Sequence, residues 1–408
     1  MNSLILILIA LGFVSIVAED LTHLNKAKTT LFFGSLVWVL HFVDRQGQGQ
    51  ALHLALNENL QEIASLWLFL MAAMTFVAYL NNREFFSTIA SRLLPSKLSK
   101  RALMLLSAHF AFVFSSLADN VTATLVCFSI LIPLKLNVRD MARFAAVIVF
   151  AVNSGGVALI TGDVTTLMVF TEGKVDIPHL LVLVVPAYIA LLALTLVISR
   201  GLDETVDVVK SNRRIPKSDW FSGALFLLTI GSILYLNVVF DVPPLLTYLL
   251  ALSVLFLIMQ FINGDEDMMR NIRLIEFDAL FFFLGILLMV GMLKELHVLR
   301  YFAQLFDLMP VWAANYCLGV FSAVLDNVPL TAAILQAEVP MSQGDWVALV
   351  YAVGVGGSLL VVGSAAGVIA MSRVEGLSFL SFARYSPHLL VAYSLGYALA
   401  YWSGTWLK

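Results

Sequence analysis

The chain has 408 residues, 60% of them hydrophobic and 12% charged, with a formal net charge of −3. A soluble domain carries about 25% charged residues, so there are too few here to cover a water-facing surface. So small a net charge gives no reason to expect a nucleic acid as partner, and Cys127 and Cys317 are expected as core thiols, with neither a disulfide framework nor a metal-ligand spacing.

Apolar runs near the length that crosses a bilayer, about 17–25 residues, recur along the chain. The first, 1–18, is followed by Glu19 and Asp20 and preceded by no basic residue. A cleaved signal peptide begins with a positive stretch, so this run is expected to be retained as a span. Further spans are expected at 28–44 and 63–81, then a surface helix at 82–100. Two interrupted stretches follow, 101–136 and 141–171, and then a span at 178–199. A hydrophilic loop, 201–217, separates the halves. Beyond it lie spans at 218–240, 243–262 and 276–293, a second surface helix at 294–309, interrupted stretches at 310–336 and 346–372, and a last span at 385–406.

Lys and Arg concentrate on the cytoplasmic side of membrane proteins. The cluster Arg200, Lys210, Arg213, Arg214 and Lys217 therefore sets that loop inside. Counting spans in both directions from it leaves Arg45, Lys174, Lys294, Arg300 and Lys408 outside, out of 24 basic residues. The N-terminus is then outside. The count works only if 101–136 enters and leaves on the inside and 310–336 enters and leaves on the outside, which makes both re-entrant hairpins.

The halves repeat. Glu62 with Leu70 can be laid on Glu276 with Leu284, Asp119-Asn120-Val121 on Asp326-Asn327-Val328, and Asn153-Ser154-Gly155-Gly156…Gly162 on Gly354-Val355-Gly356-Gly357…Gly363. The matches occur in one order, and the charge count gives the copies opposite orientations. The expected fold is an all-α membrane protein of two inverted repeats, 1–205 and 206–408. Each has about five crossing helices, one of them broken, plus a hairpin. This is a plan of secondary transporters, in which paired broken segments mark a midplane site.

Unwound backbone survives at bilayer depth only inside protein or beside a water-filled cavity. Four such breaks are expected: the tips 115–120 and 322–327, and the Gly-rich segments 153–166 and 354–367. Asp119, Asp163 and Asp326 fall far from the expected membrane surfaces, and an acid there is a functional-site hypothesis by default. Burial favours a protonated carboxyl, whereas a bound cation favours the charged form. One carboxylate can therefore hold a proton or a cation in turn, which suffices for exchange. The plainer reading of each Asp is a helix N-cap, and the two roles are compatible. Asn120, Asn327, Thr165, Thr166, Ser115 and Ser322 add hard oxygen donors. In the second copy Asp163, Asn153 and Thr166 are replaced by Ser364, Gly354 and Gly367, so the first copy is expected to hold the tighter cation site. Pro329 after the second tip suits the first turn of a helix. His109 is read as a packed core residue, Glu62, Glu276 and Asp278 as interfacial, and Lys294, Glu295 and His297 as part of the outer surface helix. No Lys or Arg stands out at bilayer depth. With no P-loop, dinucleotide fingerprint or H-E-x-x-H, neither ATP-driven pumping nor zinc proteolysis is supported.

The runs Ser115-x3-Asp119-Asn120-Val121-Thr122-Ala123-Thr124-Leu125, Asn153-Ser154-Gly155-Gly156…Gly162-Asp163-Val164-Thr165-Thr166 and Asp326-Asn327-Val328-Pro329 resemble the NhaD-type sodium/proton antiporters. That family sits in a wider ion-transporter superfamily with dicarboxylate carriers and arsenite-type permeases. The likeness extends from about residue 60 to the end and includes Ala72-Ala73-Met74-Thr75-Phe76-Val77. It implies Na⁺ or Li⁺ expulsion in exchange for H⁺ across the cytoplasmic membrane, a scaffold with a transport domain, a homodimer, and no cofactor or catalysis. Carried over by position, it implies ion-site roles for Asp119, Asn120, Asn153, Asp163, Thr165, Thr166, Ser322 and Asn327, with Ser358 added; Asp119, Asn120 and Asp163 are the foremost ligands of the Na⁺ or Li⁺. Family members tend to carry acids near the end of the third span, where this chain has Tyr79-Leu80-Asn81-Asn82. Two other readings stand beside it. A sodium-coupled anion symporter of the dicarboxylate type is disfavoured by an Asp in each tip. A membrane enzyme or scaffold would remain if neutral Asp variants changed no transport readout.

Overall fold

The computed structural model describes all residues except 18–21, 23, 46–48, 209, 264–271, 274, 300–303, 305, 307, 338 and 407–408. Much of the expected surface helix 294–309, with Arg270, Arg300 and Lys408, lies outside the described residues.

In the first half, α1 (Asn2–Val17) and α2 (Lys26–Asp44) lead into α3 (Gly49–Asn82), a 34-residue helix. At 1.5 Å per residue α3 is about 51 Å long, so it begins well before the apolar run at 63–81. α4 (Phe85–Leu93) lies within the first expected surface segment. α5 (Lys100–Leu117) and α6 (Asn120–Leu131) occupy the first expected hairpin. The interrupted stretch 141–171 resolves into α7 (Val138–Gly156) and α8 (Val164–Thr171), and α9 (Ile177–Leu181) and α10 (Val184–Ile198) follow.

The second half contains α11 (Lys217–Phe240), α12 (Pro244–Asn263) and α13 (Phe277–Glu295). The second expected hairpin is occupied by α14 (Val311–Phe321) and α15 (Asn327–Gln336). The second broken stretch is α16 (Gln343–Gly356) and α17 (Ala365–Arg373), and α18 (Phe379–Ala383) and α19 (Ser386–Gly404) close the chain. Among the described residues, five helices are long and apolar enough to cross a bilayer: Leu52–Asn82, Ile177–Ile198, Lys217–Phe240, Pro244–Ile262 and Phe277–Glu295. α11 and α12 expose large apolar side chains such as Leu228 and Phe261, as a lipid-facing surface requires.

Among the described residues one two-stranded sheet accompanies the helices. Strand β1 (Lys97–Ser99) pairs antiparallel with β2 (Thr205–Asp207), joining Leu98 to Val206. The boundary drawn between 205 and 206 thus falls inside a strand, and the 201–217 loop is tied down. Lys210 donates to the carbonyl of Arg92 at 3.1 Å. Buried Asp219 accepts from Arg83 at 3.0 Å and from Arg213 at 3.1 Å. Of the two thiols, Cys127 is buried as expected, but Cys317 is exposed, on the side of α14 turned away from its buried Ala314, Asn315, Leu318 and Gly319. His109 is also exposed, not a core residue, and shares a 2.8 Å hydrogen bond with the Tyr188 hydroxyl.

Matched contacts run through the two halves. α5 packs on α7 as α14 packs on α16, and α10 packs on α7 as α19 packs on α16. Ser115 Oγ donates to the Val152 carbonyl at 2.6 Å, and Ser322 Oγ to the Val353 carbonyl at 2.9 Å. Gly155 sits against the Phe112 carbonyl and Gly356 against the Gly319 carbonyl, so close that a Cβ at either position would overlap backbone. The halves then interlock. α8 of the first packs on α15 of the second, and α17 of the second packs on α6 of the first.

Candidate functional site

The interlock brings together the N-terminal ends of four short helices. Three are capped by the acids singled out in the sequence. Asp119 accepts from the Thr122 N–H at 2.8 Å and from its hydroxyl at 2.7 Å, capping α6. Asp163 caps α8, taking the Thr165 hydroxyl on Oδ2 at 3.0 Å. Asp326 accepts from the Val328 N–H at 3.2 Å, capping α15. Ser364, the counterpart of Asp163, caps α17. Helix N-termini carry partial positive charge, so each cap sets a side-chain oxygen against the positive end of its helix.

Asp119, Asn120, Asp163, Asp326 and Asn327 line one cavity of about 240 Å³. Asn327 Nδ2 donates to Asp163 Oδ2 at 3.1 Å across it, joining the start of α15 to the start of α8. Asp163 is buried, at 6% exposure. The other candidates stand behind this lining. Asn153 is fully buried; its amide donates to the Val149 carbonyl at 2.8 Å and to Ser364 Oγ at 3.1 Å. Its Oδ1 has no hydrogen-bond partner among the described residues, which leaves a buried oxygen lone pair unspent on a side chain bonded to Ser364. Thr166 Oγ1 reaches the Gly156 carbonyl at 3.5 Å, and Ser358 Oγ donates to Val355 at 2.6 Å. Ser115 and Ser322 fasten hairpin arm to broken helix, as described above. Among the described residues no group of three or more His, Cys, Asp or Glu is close enough to hold a metal ion. The acids are spread along the wall and are not gathered into a tight ligand cage.

Four lining residues were not read as site residues from the sequence: Asn25, Lys26, Glu276 and Asp278. Asn25 Nδ2 donates to Asp278 Oδ2 at 2.7 Å. Lys26 Nζ lies 3.6 Å from Asp326 Oδ2, so a basic residue reaches one of the acids that the sequence singled out. Glu276 also faces a smaller cavity of about 180 Å³ shared with Asn81, Asn82, Asp119 and Thr122. An acid thus stands beside Asn81 and Asn82, supplied by a different helix. No sequence spacing links these four residues to the tips. Each lies at a span end, where polar residues are ordinary.

The citrate-transporter family model matches residues 3–356. The chain is 30% identical to the Na⁺/H⁺ antiporter NhaD of Vibrio parahaemolyticus, over 91% of this chain and 98% of that one. The chain belongs to the NhaD-type sodium/proton antiporter family. It is also 29% identical to the NhaD protein of Vibrio cholerae, over 97% of this chain and 90% of that one. It is 28% identical to sodium/proton antiporter 1 of Arabidopsis thaliana, over 96% of this chain and 71% of that one. Family membership and the apolar helices together make the chain a multi-pass membrane protein.

Proposed function

We propose that the chain exchanges Na⁺ or Li⁺ for H⁺ across the cytoplasmic membrane by alternating access, with no cofactor and no catalysis. The observation that carries this is the buried Asp163, open to a cavity on one side and bridged by Asn327 of the opposite hairpin on the other. Asp163 and Asp119 bind cation and proton in competition. Asn120, Asp326 and Asn327 complete the wall, and Asn153 Oδ1 is a reserve ligand. In the charge-derived orientation the repeats are inverted, the N-terminus is outside, and the cavity faces the cytoplasm. A partly hydrated alkali ion enters there, and closure of the wall replaces its water. The hairpins and broken helices form the moving part, and the remaining spans form a scaffold and the homodimer contact.

The test is dequenching of a pH dye in inverted vesicles on adding Na⁺ or Li⁺. Wild type is expected to respond and Asp119→Asn to be silent at normal abundance; silence of folded wild type from about pH 6.5 to 9.5 would overturn the reading, since competing carboxylates must be open to cations somewhere in that range. Below that plateau, protons occupy the carboxylates, so the KM for Na⁺ should fall as pH rises and level off once they are ionised.

A sodium-coupled anion symport is favoured only by the citrate-transporter description of the matching family. Asp119, Asp163, Asp326, Glu276 and Asp278 line the cavity against Lys26 alone, a field that repels a polycarboxylate. Na⁺-driven uptake of labelled citrate or succinate would favour symport over exchange.

A further inference from the structure

Lys26 is held in place by the start of its own helix. Asn25 caps α2 through the Ala27 and Lys28 N–H groups and is itself tied to Asp278 at the start of α13. α2 and α13 are locked along their length. Trp38 Nε1 donates to the Leu288 carbonyl at 2.9 Å, and a Cβ on Gly34 would lie 2.6 Å from the Gly285 carbonyl oxygen. From this rigid pair the Lys26 side chain crosses the face of the Phe282 ring, 4.9 Å from its centre, to Asp326 on the opposite tip. Lys26 is 23% exposed and Asp326 11%, so water screens the pair only in part. An aromatic face beneath the ammonium further favours the cation there.

We propose that the Lys26 ammonium is a resident counter-cation of the Asp326 tip, which the transported cation must displace. The inference rests on the exchange reading above. A fixed positive charge at the second tip weakens cation binding in the cavity that Asp163 and Asp326 share. It also speeds release, because Lys26 reclaims Asp326 as the ion leaves. Its position makes the two tips unequal: Asp119 has Glu276 beside it in the smaller cavity, whereas Asp326 has a tethered cation.

The experiment uses the full chain in inverted vesicles, with Na⁺ affinity read a second way as the midpoint of Na⁺-dependent thermal stabilisation of purified protein. Lys26→Met is expected to lower the KM for Na⁺ roughly three- to tenfold and to reduce kcat, because an unscreened carboxylate gains cation affinity at the expense of release. Lys26→Arg, which keeps the charge, is expected to stay near wild type. In purified Asp326→Asn protein, adding Lys26→Met should leave the stabilisation midpoint unmoved. A Lys26→Met protein with unchanged KM and midpoint overturns the proposal, as does one in which Met and Arg variants lose abundance and kcat alike at constant KM. Wild type without exchange would instead sink the exchange reading, so the two failures are distinct.

Discussion

The three carboxylates are not equivalent, and the difference lies in what else touches them. Asp163 is the most enclosed and takes a hydrogen bond from the opposite tip. Asp163→Asn removes the charge and is expected to abolish exchange with no loss of folded protein, read by dye dequenching and by yield of monodisperse protein. Asn327→Ala leaves Asp163 Oδ2 with the Thr165 hydroxyl but without its donor from the second half. A lost hydrogen bond to a charged group costs about 1.5–3 kcal/mol, so the KM for Na⁺ should rise roughly tenfold or more as the ligand loses its fixed position. Asp119, Asp163 and Asp326 were legible in the sequence because an acid far from a membrane surface must have a reason to be there. Lys26, Glu276 and Asp278 were not, because charge at a helix end is ordinary and only the folded chain places those ends beside the tips. The plainer N-cap reading of each Asp also holds in the structure, together with the cavity.

Among the elements, the breaks could be read directly. Glycines recur where the sequence turns from apolar to polar, and the structure ends α7 and α16 there. Their purpose is close approach. Gly155 meets the Phe112 carbonyl, so Gly155→Ala must separate α5 from α7. Overpacking costs typically 1–3 kcal/mol, and a backbone clash belongs near or above about 3 kcal/mol. Gly231, on α11, has nothing within 4 Å of a built Cβ, so Gly231→Ala should be neutral or stabilising by up to about 1 kcal/mol. Comparing the melting temperatures of the two variants checks this, with a large drop expected for the first alone. The crossed packing of α8 on α15 and α17 on α6 left no local signature. It joins segments from opposite halves, and hydropathy carries no partner information for helices that are apolar all round. The β-ribbon was missed for a related reason: three residues make too short a strand to show a period.

For the molecule as a whole, composition decided the class, since so few charges cannot clothe a soluble surface. Topology rests on the basic loops and can be tested by labelling. Asn212→Cys, in the loop between halves, should react with an impermeant thiol reagent only from the cytoplasmic side. Glu172→Cys, exposed after α8, should react only from outside, the measurement being made on a background lacking Cys127 and Cys317. The reverse pattern would invert the assignment. Cation binding should also be visible in global stability. A ligand at 100 times its Kd adds about 2.7 kcal/mol, so Na⁺ should raise the melting temperature of wild type, while Asp163→Asn should show no such rise.

The crossed helices also bear on how the chain is made. Synthesis runs from the N-terminus, and the first half can close its ribbon once residue 207 has emerged, because β1 and β2 both precede that point. Asp163 then waits for Asn327, and α6 for α17. A ribosome stalled between the halves would leave an inserted half-protein with its acids uncovered and no ion path. Until α15 and α17 are made, α8 and α6 lack the helices they pack against, so neither half has its full packing alone.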